Sequence, residues 1–319
     1  MTTTHLPYRP PYQWQAMLAF LEARAVPTTE TVVAGVYRRT LRVAGGDGRS
    51  ATGIVSVRHA ASRQALAVKL SPSLADHAPT VLDRVAHLFD LGCDPAAMTP
   101  VLGELGHAEP GLRLPGAVDV FEIAVRAVLG QQVTVAAART LATRVVARFG
   151  SPIGAADRDE PGRSMSCAPG TGTEPSHLFP AAAALAAMQP AGLVASLGEL
   201  GVVRVRGQAI AELARRVAEG SLPLAERPRL SPTRDEAEAA VAALCAIRGI
   251  GPWTAHYIAM RGFGWADAFP PGDVAALNAL GATRPAEALA MAERWRPWRG
   301  YALMHLWRRA ARLPKARAR

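Results

Sequence analysis

A short segment with glycines on either side of an isoleucine constrains the fold of this chain more than any other feature. It runs from Leu244 to Ala255 and reads LCAIRGIGPWTA. Glycine adopts turn dihedrals that other residues resist, and it lets a ligand approach the backbone closely. The pattern therefore predicts a helix, a tight turn and a second helix. We expect the amide N–H groups at the start of the second helix to face outward, where the helix dipole favours an anion such as phosphate.

An aspartate follows this turn in a context that has two interpretations. Asp273 comes directly after Pro270, Pro271 and Gly272 and directly before a helical run that begins at Val274. It can act as a helix N-cap, a position at which aspartate is favoured. It can also be a functional carboxylate, and the two interpretations are compatible. We expect a cap residue to be exposed at the helix start and to face whatever the hairpin binds.

Aromatic residues and glutamines near the turn also have two interpretations each. Trp253 and Tyr257 stand four apart and so share one helix face. They are either core aromatics or the walls of a pocket for a flipped base, since flipped bases stack on aromatic rings. Gln131 and Gln132 interrupt two helical runs. Paired glutamines at a turn are usually solvated, although they can also insert into a base stack.

The composition of the chain limits the kinds of binding partner and of metal or cofactor site that we expect. The chain has 319 residues and a net charge of +10, which indicates either codon bias towards arginine or a polyanionic partner. No apolar run is long enough to span a membrane and no secretory signal is evident, so we expect a cytoplasmic protein. Cys93, Cys167 and Cys245 are too far apart for a zinc or iron–sulfur site. Nucleotide-binding glycine motifs are also missing from the sequence, and no nucleotide cofactor is indicated.

The chain divides into two regions by its periodicity. Residues 1–93 predict an α+β N-terminal domain with an antiparallel sheet, because strand-like alternation recurs in 31–43, 53–58 and 65–70. Residues 94–319 lose the strand signal and predict a mostly helical domain of two subdomains with a cleft between them. A Gly-, Pro- and Ser-rich stretch from Asp157 to Ser176 predicts a flexible surface loop.

These segments together resemble the helix–hairpin–helix DNA glycosylases, in particular the family of AlkA-type 3-methyladenine DNA glycosylases. The resemblance extends over nearly the full length. It includes the hairpin, Asp273, the stretch Val125–Val133 with its Leu-Gly-Gln-Gln core, and the tryptophan-rich stretch Glu293–Leu303. Membership of this family would imply an α+β N-terminal domain followed by a helix–hairpin–helix core.

The resemblance also implies roles for individual residues. The catalytic acid falls on Asp273, and the intercalating wedge falls on Gln132, where the best-known members carry leucine. The aromatic base pocket falls on Trp253, Tyr257 and Trp307. The contacts to the DNA backbone fall on Gly249, Ile250, Gly251 and Thr254. A monovalent cation, where the family has one, is held by main-chain carbonyls that match Cys245, Ile247 and Ile250.

One position bears on the subclass. Bifunctional glycosylase-lyases carry a hairpin lysine where this chain has Trp253, and tryptophan cannot form a Schiff base with the sugar. The expected function is therefore that of a monofunctional, cofactor-free glycosylase, monomeric, that releases alkylated bases from double-stranded DNA by base flipping. One alternative is a non-catalytic helix–hairpin–helix DNA-binding protein. A second is a glycosylase for oxidised or mismatched bases.

Overall fold

A five-stranded antiparallel sheet forms the first part of the chain in the computed structural model, which describes residues 3–45, 50–154, 157, 174–222 and 232–312. The spatial order of the strands is β1-β5-β4-β3-β2. Their bounds are β1 Thr3–Pro7, β2 Glu30–Val33, β3 Val36–Ala44, β4 Ser50–Ala60 and β5 Ala65–Leu70. The sequence did not predict β1, and its single run over 31–43 is a hairpin. The two strands β2 and β3 are joined by Ala34 and Gly35, both with positive φ.

Two helices cover the sheet. Helix α1 spans Trp14–Arg24 and α2 spans Ala78–Leu88. The core beneath them contains Tyr37, whose ring meets that of Phe89 edge-on at 5.6 Å. Alternate residues of the strands point into this core because successive side chains of a strand face opposite sides of the sheet.

The remainder of the described chain is mostly helical. Its helices are α3 (Pro95–Leu102), α4 (Glu104–Ala108), α5 (Val120–Leu129), α6 (Val135–Phe149), α7 (Ala182–Ala186), α8 (Pro190–Glu199), α9 (Arg204–Ala218), α10 (Arg234–Cys245), α11 (Pro252–Gly262), α12 (Val274–Leu280), α13 (Pro285–Ala292) and α14 (Arg299–Arg312). The expectation that strands end before residue 94 was wrong in one detail, because β6 (Ser151–Pro152) pairs with β7 (His177–Leu178). The predicted loop Asp157–Ser176 lies largely outside the described residues. The predicted fold class is confirmed.

Two hydrophobic cores organise the helical part. Helix α5 is central to the first, since every residue from Val120 to Leu129 except Arg126 is buried. It packs directly against α6, α9 and α11, and α7 and α8 join this core by packing on α9. The second core gathers α3, α12 and α14 around Trp295 and Tyr301. Within the described ranges, no helix is both long enough and apolar enough to cross a membrane.

Candidate active site

A cleft of about 1010 Å³ has walls that come from both helical cores. Its lining contains the predicted catalytic residue, the three predicted aromatic residues, the predicted wedge and the four predicted backbone-binding residues of the hairpin. These are Gln132, Gly249, Ile250, Gly251, Trp253, Thr254, Tyr257, Asp273 and Trp307. Residues that are far apart in the sequence thus meet around one cavity. Cys245 and Ile247, predicted to hold a cation, are not part of that lining.

Asp273 is the N-cap of α12 and lies in the wall of this cleft. Its Oδ1 accepts hydrogen bonds from the amide of Ala276 at 2.9 Å and from the Trp307 indole Nε1 at 3.0 Å. Its Oδ2 accepts from the Trp253 indole Nε1 at 3.0 Å. The expectation of an exposed carboxylate was wrong, since only 7% of Asp273 is exposed. The two indoles close over it, and N–H donors take the place of most of the water that a carboxylate would bind.

Aromatic rings form one continuous wall beside Asp273. Trp253 and Tyr257 stack at 5.2 Å with 11° between their planes, as expected for neighbours one helical turn apart. The rings of Tyr257 and Trp307 are 6.4 Å apart and tilted by 38°. Phe20 of α1 stacks on Trp307 at 6.5 Å. Local sequence patterns gave no signal for Phe20, because it lies in the N-terminal region and only the fold brings α1 to the cleft.

Four arginines line the cleft, and the sequence pattern predicted none of them. They are Arg24, Arg126, Arg139 and Arg261. Arg126 is neutralised, because its Nη1 pairs with Glu30 at 2.7 Å and with Glu122 at 2.8 Å. Glu122 in turn pairs with Arg39 at 2.7 Å. Two carboxylates and two guanidiniums thus form a balanced network between the sheet and α5.

Arg261 contacts the hydroxyl end of Tyr257. Its Nη1 donates to the Tyr257 hydroxyl at 2.8 Å, and its remaining donors bond the carbonyls of Pro115 and Gly116. Burial raises the pKa of the Tyr257 hydroxyl, but the Arg261 and Arg24 guanidiniums outweigh burial and leave this pKa below its usual value. The part of the cleft beside Arg24 and Arg261 is therefore positive, whereas Asp273 supplies a negative charge at another point of the cleft wall.

The hairpin has the geometry that its glycines predicted. Gly249 has φ +94°, and a Cβ there would lie 3.1 Å from the Val205 carbonyl oxygen. Gly251 is the N-cap of α11, and a Cβ on it would meet nothing within 4 Å, so its surface is open. Within the described chain, no backbone acceptor pairs with the amides of Gly249, Gly251 or Thr254. These groups are free to face an anion. The Ile250 amide already donates to the Ile247 carbonyl at 3.0 Å, and the Ile250 side chain is buried.

The two glutamines have different environments. The Nε2 of Gln131 donates to the Gly249 carbonyl at 2.8 Å and to the Thr254 Oγ1 at 3.0 Å, which holds the α5 end against the hairpin. The expectation of solvation was wrong for Gln131. Gln132 is exposed at the cleft with φ +52°, beside the exposed Val133. Its place at the cleft agrees with the predicted wedge position, while its role stays a prediction.

The carbonyls predicted for a monovalent cation lie at the end of α10 and in the turn that follows. The Ile247 carbonyl oxygen accepts the Ile250 amide and keeps one lone pair. Among the described residues, no backbone N–H donates to the carbonyls of Cys245 or Ile250. Such oxygens fit a hard cation. Across the described residues, no group of three His, Cys, Asp or Glu side chains is placed to hold a metal ion.

Two family models together match most of the chain. Residues 3–119 match the AlkA N-terminal domain. Residues 125–299 match the HhH-GPD superfamily, described as base excision DNA repair proteins. Among curated relatives, DNA-3-methyladenine glycosylase 2 of Escherichia coli is 39% identical over 302 residues, which cover 95% of each chain.

Solved structures share the fold. The 3-methyladenine DNA glycosylase from Archaeoglobus fulgidus superposes with a TM-score of 0.73 at 20% identity, covering 99% of this chain and 100% of that one. An 8-oxoguanine glycosylase/lyase of Clostridium acetobutylicum, solved with double-stranded DNA, has a TM-score of 0.58 at 13% identity and covers 90% and 99%. At these identities the likeness establishes the fold alone.

Proposed function

The chain belongs to the HhH-GPD superfamily of base excision DNA repair proteins, and on that premise we propose that it is a monofunctional DNA glycosylase that hydrolyses the N-glycosidic bond of alkylated bases in duplex DNA. Its relative in Escherichia coli is named a DNA-3-methyladenine glycosylase. Kinship at that level supports an enzyme of base excision repair and not the non-catalytic DNA-binding alternative. The observation that carries the proposal is Asp273, held between two indole donors in the wall of the cleft beside the hairpin.

Binding of double-stranded DNA is supported by charge and by the hairpin. The net charge of +10 attracts a polyanion over a Debye length. The open amides at Gly251 and Thr254 begin α11, where the helix dipole favours a phosphate. Gly249 gives the turn its left-handed geometry. A phosphate gripped there brings the adjoining sugar to the mouth of the cleft. Gln132 stands at that mouth, where it would fill the position that a flipped base leaves.

The chemistry follows from where charge develops. When the bond between the sugar C1′ and the base nitrogen breaks, its electron pair stays on the base and positive charge grows on the sugar. A carboxylate that is already oriented and poorly solvated stabilises that charge without reorganising, an effect worth several kcal/mol. Water then adds its oxygen to C1′ and releases a proton, leaving an abasic sugar and a free base. An alkylated base with a ring charge departs as a neutral molecule, so little acid assistance is needed.

The aromatic wall has two tasks in this proposal. The rings of Trp253, Tyr257 and Trp307 offer faces on which a flipped base can stack. The indole N–H groups of Trp253 and Trp307 at the same time hold Asp273. Trp253 cannot form a Schiff base, which supports a monofunctional enzyme that does not cut the strand. The proposal also includes a cation on the hairpin carbonyls, a monomeric state and a cytoplasmic location. It further holds that the enzyme needs no cofactor.

A base-release assay on methylated duplex DNA tests the proposal. We expect free 3-methyladenine and 7-methylguanine, detected by chromatography, with intact strands until alkali cleaves the abasic sites. DNA that is bound without release of any base would instead support the non-catalytic alternative. Release of oxidised but not alkylated bases would support the second alternative. Strand cleavage without alkali would contradict the monofunctional assignment.

A further inference from the structure

Arg24 has a position in the cleft that the proposed reaction does not yet use. It is the last residue of α1, and its guanidinium lies 3.7 Å over the Phe20 ring. Phe20 connects Arg24 to the reaction centre, because Phe20 stacks on Trp307 and Trp307 donates to Asp273. Arg24 lines the same cavity as these groups. It therefore lies where the edge of a flipped base, rather than its sugar, would be.

The end of α1 is anchored by the buried ion network. Arg126 donates through Nη2 to the carbonyl oxygen of Arg24. Arg126 is itself fixed by Glu30 from the sheet and by Glu122 from α5. Since both carboxylates are buried, this anchor is screened little by solvent. The N-terminal sheet thus fixes where the Arg24 guanidinium stands.

The contacts of Arg24 with the described residues are to neutral groups. Its Nη1 donates to the Phe20 carbonyl at 3.2 Å, and its guanidinium stacks on the Phe20 ring. A guanidinium has five N–H donors in a planar fork. Arg126, in contrast, is neutralised by two carboxylates. Arg24 therefore brings to the cleft a positive charge and donors suited to an acceptor, whereas all three guanidinium nitrogens of Arg261 already bond protein oxygens.

We propose that Arg24 determines specificity by donating a hydrogen bond to an oxygen on the edge of the flipped base, so that damaged bases with such an oxygen are preferred over alkylated adenines. This inference rests on the proposed function. Arginine is well matched to the O6 acceptor of a guanine-type edge, and O6 stays available in 7-methylguanine, where the methyl group occupies N7. The bond strengthens as the leaving base gains electron density, so it favours the transition state over the bound ground state. An alkylated adenine presents an amino group there and gains nothing.

Arg24→Met in the full chain separates this role from others, because methionine keeps the length and stacking but removes donors and charge. Single-turnover release is measured on three duplexes with one lesion each. 7-Methylguanine is positive and carries the oxygen, 3-methyladenine is positive and lacks it, and hypoxanthine is neutral and carries it. We expect the variant to slow both oxygen-bearing bases by about 10- to 100-fold, the worth of a charge-assisted hydrogen bond. Release of 3-methyladenine should stay within about threefold of the parent, because it forms no such bond.

Matched variants guard against a purely structural effect. Arg63→Met makes the same exchange at an exposed arginine in the turn between β4 and β5 and should change none of the three rates. Arg24→Lys keeps the charge without the fork and should lose part of the oxygen preference, even if Arg24→Met folds poorly. Binding of abasic-site DNA should be equal in the parent and in both Arg24 variants.

The possible results are distinct. Equal slowing of all three bases, or a change that follows the charge of the base and not its oxygen, would overturn the role of Arg24 while leaving the glycosylase intact. A parent protein that releases none of the three would refute the proposed function itself.

Discussion

Replacing Trp253 by phenylalanine removes one hydrogen-bond donor from Asp273 while it keeps an aromatic ring against Tyr257. The structure predicts that this substitution slows base release more than Trp307→Phe does. Oδ1 of Asp273 has two donors, the Trp307 indole and the Ala276 amide, whereas Oδ2 has the Trp253 indole. Trp307→Phe leaves Oδ1 with the Ala276 amide. Trp253→Phe leaves Oδ2 without a donor among the described residues, in a carboxylate with 7% exposure.

The magnitude follows from the energy of such bonds. A hydrogen bond to a charged group contributes about 1.5–3 kcal/mol, and each 1.36 kcal/mol is a factor of about ten in rate. We therefore expect single-turnover release of 7-methylguanine to slow by about 10- to 100-fold in Trp253→Phe and by several-fold less in Trp307→Phe. Binding of DNA with an abasic site should change little in either variant, because the hairpin is untouched.

Trp265→Phe is the matched control, since Trp265 is a buried tryptophan that stacks on His256 outside the lining of the cleft. It loses the same volume, and so reports the cost of a smaller ring. If all three variants slowed release by the same factor, the two indole donors would not act through Asp273, and the reasoning would fail. A larger effect for Trp307→Phe than for Trp253→Phe would also contradict it.

Two further predictions concern the hairpin and the pH dependence of stability. Gly249→Ala should lower the free energy of unfolding by about 1–2 kcal/mol, because Gly249 has a positive φ. Gly251→Ala should leave the free energy of unfolding unchanged and weaken binding of abasic-site DNA by about tenfold. Equal effects of the two variants in both assays would contradict the assignment of Gly251 as the open face. Burial lowers the pKa of His305 from 6.5 to about 4, so the unfolded chain takes up a proton at higher pH than the folded protein, and the stabilising contribution of neutral His305 is lost as the pH falls from 6.5 to 4. The free energies of unfolding of His305→Leu and of the parent should be measured with denaturant over this pH range. Their difference should shift by about 3 kcal/mol in favour of the variant as the pH falls, whereas a difference that does not change with pH would contradict this prediction.

Local patterns were enough to predict the hairpin, the cap and the aromatic pair. Gly249 and Gly251 imply the turn because backbone freedom is a property of the residue itself. Trp253 and Tyr257 share a face because helical spacing places them there. The fold class followed from the change of periodicity after the sheet. These features depend on neighbours in sequence, which a single chain reveals.

Features that depend on distant residues were not predicted. The exposure of Asp273 was misjudged because Trp307 arrives from α14 and closes over it. Gln131 looked solvated because its partner, the Gly249 carbonyl, belongs to another element. Arg24 and Phe20 lie in α1, which the sequence assigns to the N-terminal region, although the fold places them at the cleft. The spacing of neighbouring residues in the sequence does not predict such contacts, because they form between residues that only the folded chain brings together.

Asp273→Asn tests the central claim most directly, because it removes the negative charge and keeps the size of the side chain. Base release by this variant should be compared with the parent at saturating enzyme on DNA that contains 7-methylguanine, with binding of abasic-site DNA measured alongside. We expect release to become undetectable while abasic-site binding stays close to that of the parent. Release at the rate of the parent would contradict the assignment of Asp273 as the group that stabilises the sugar.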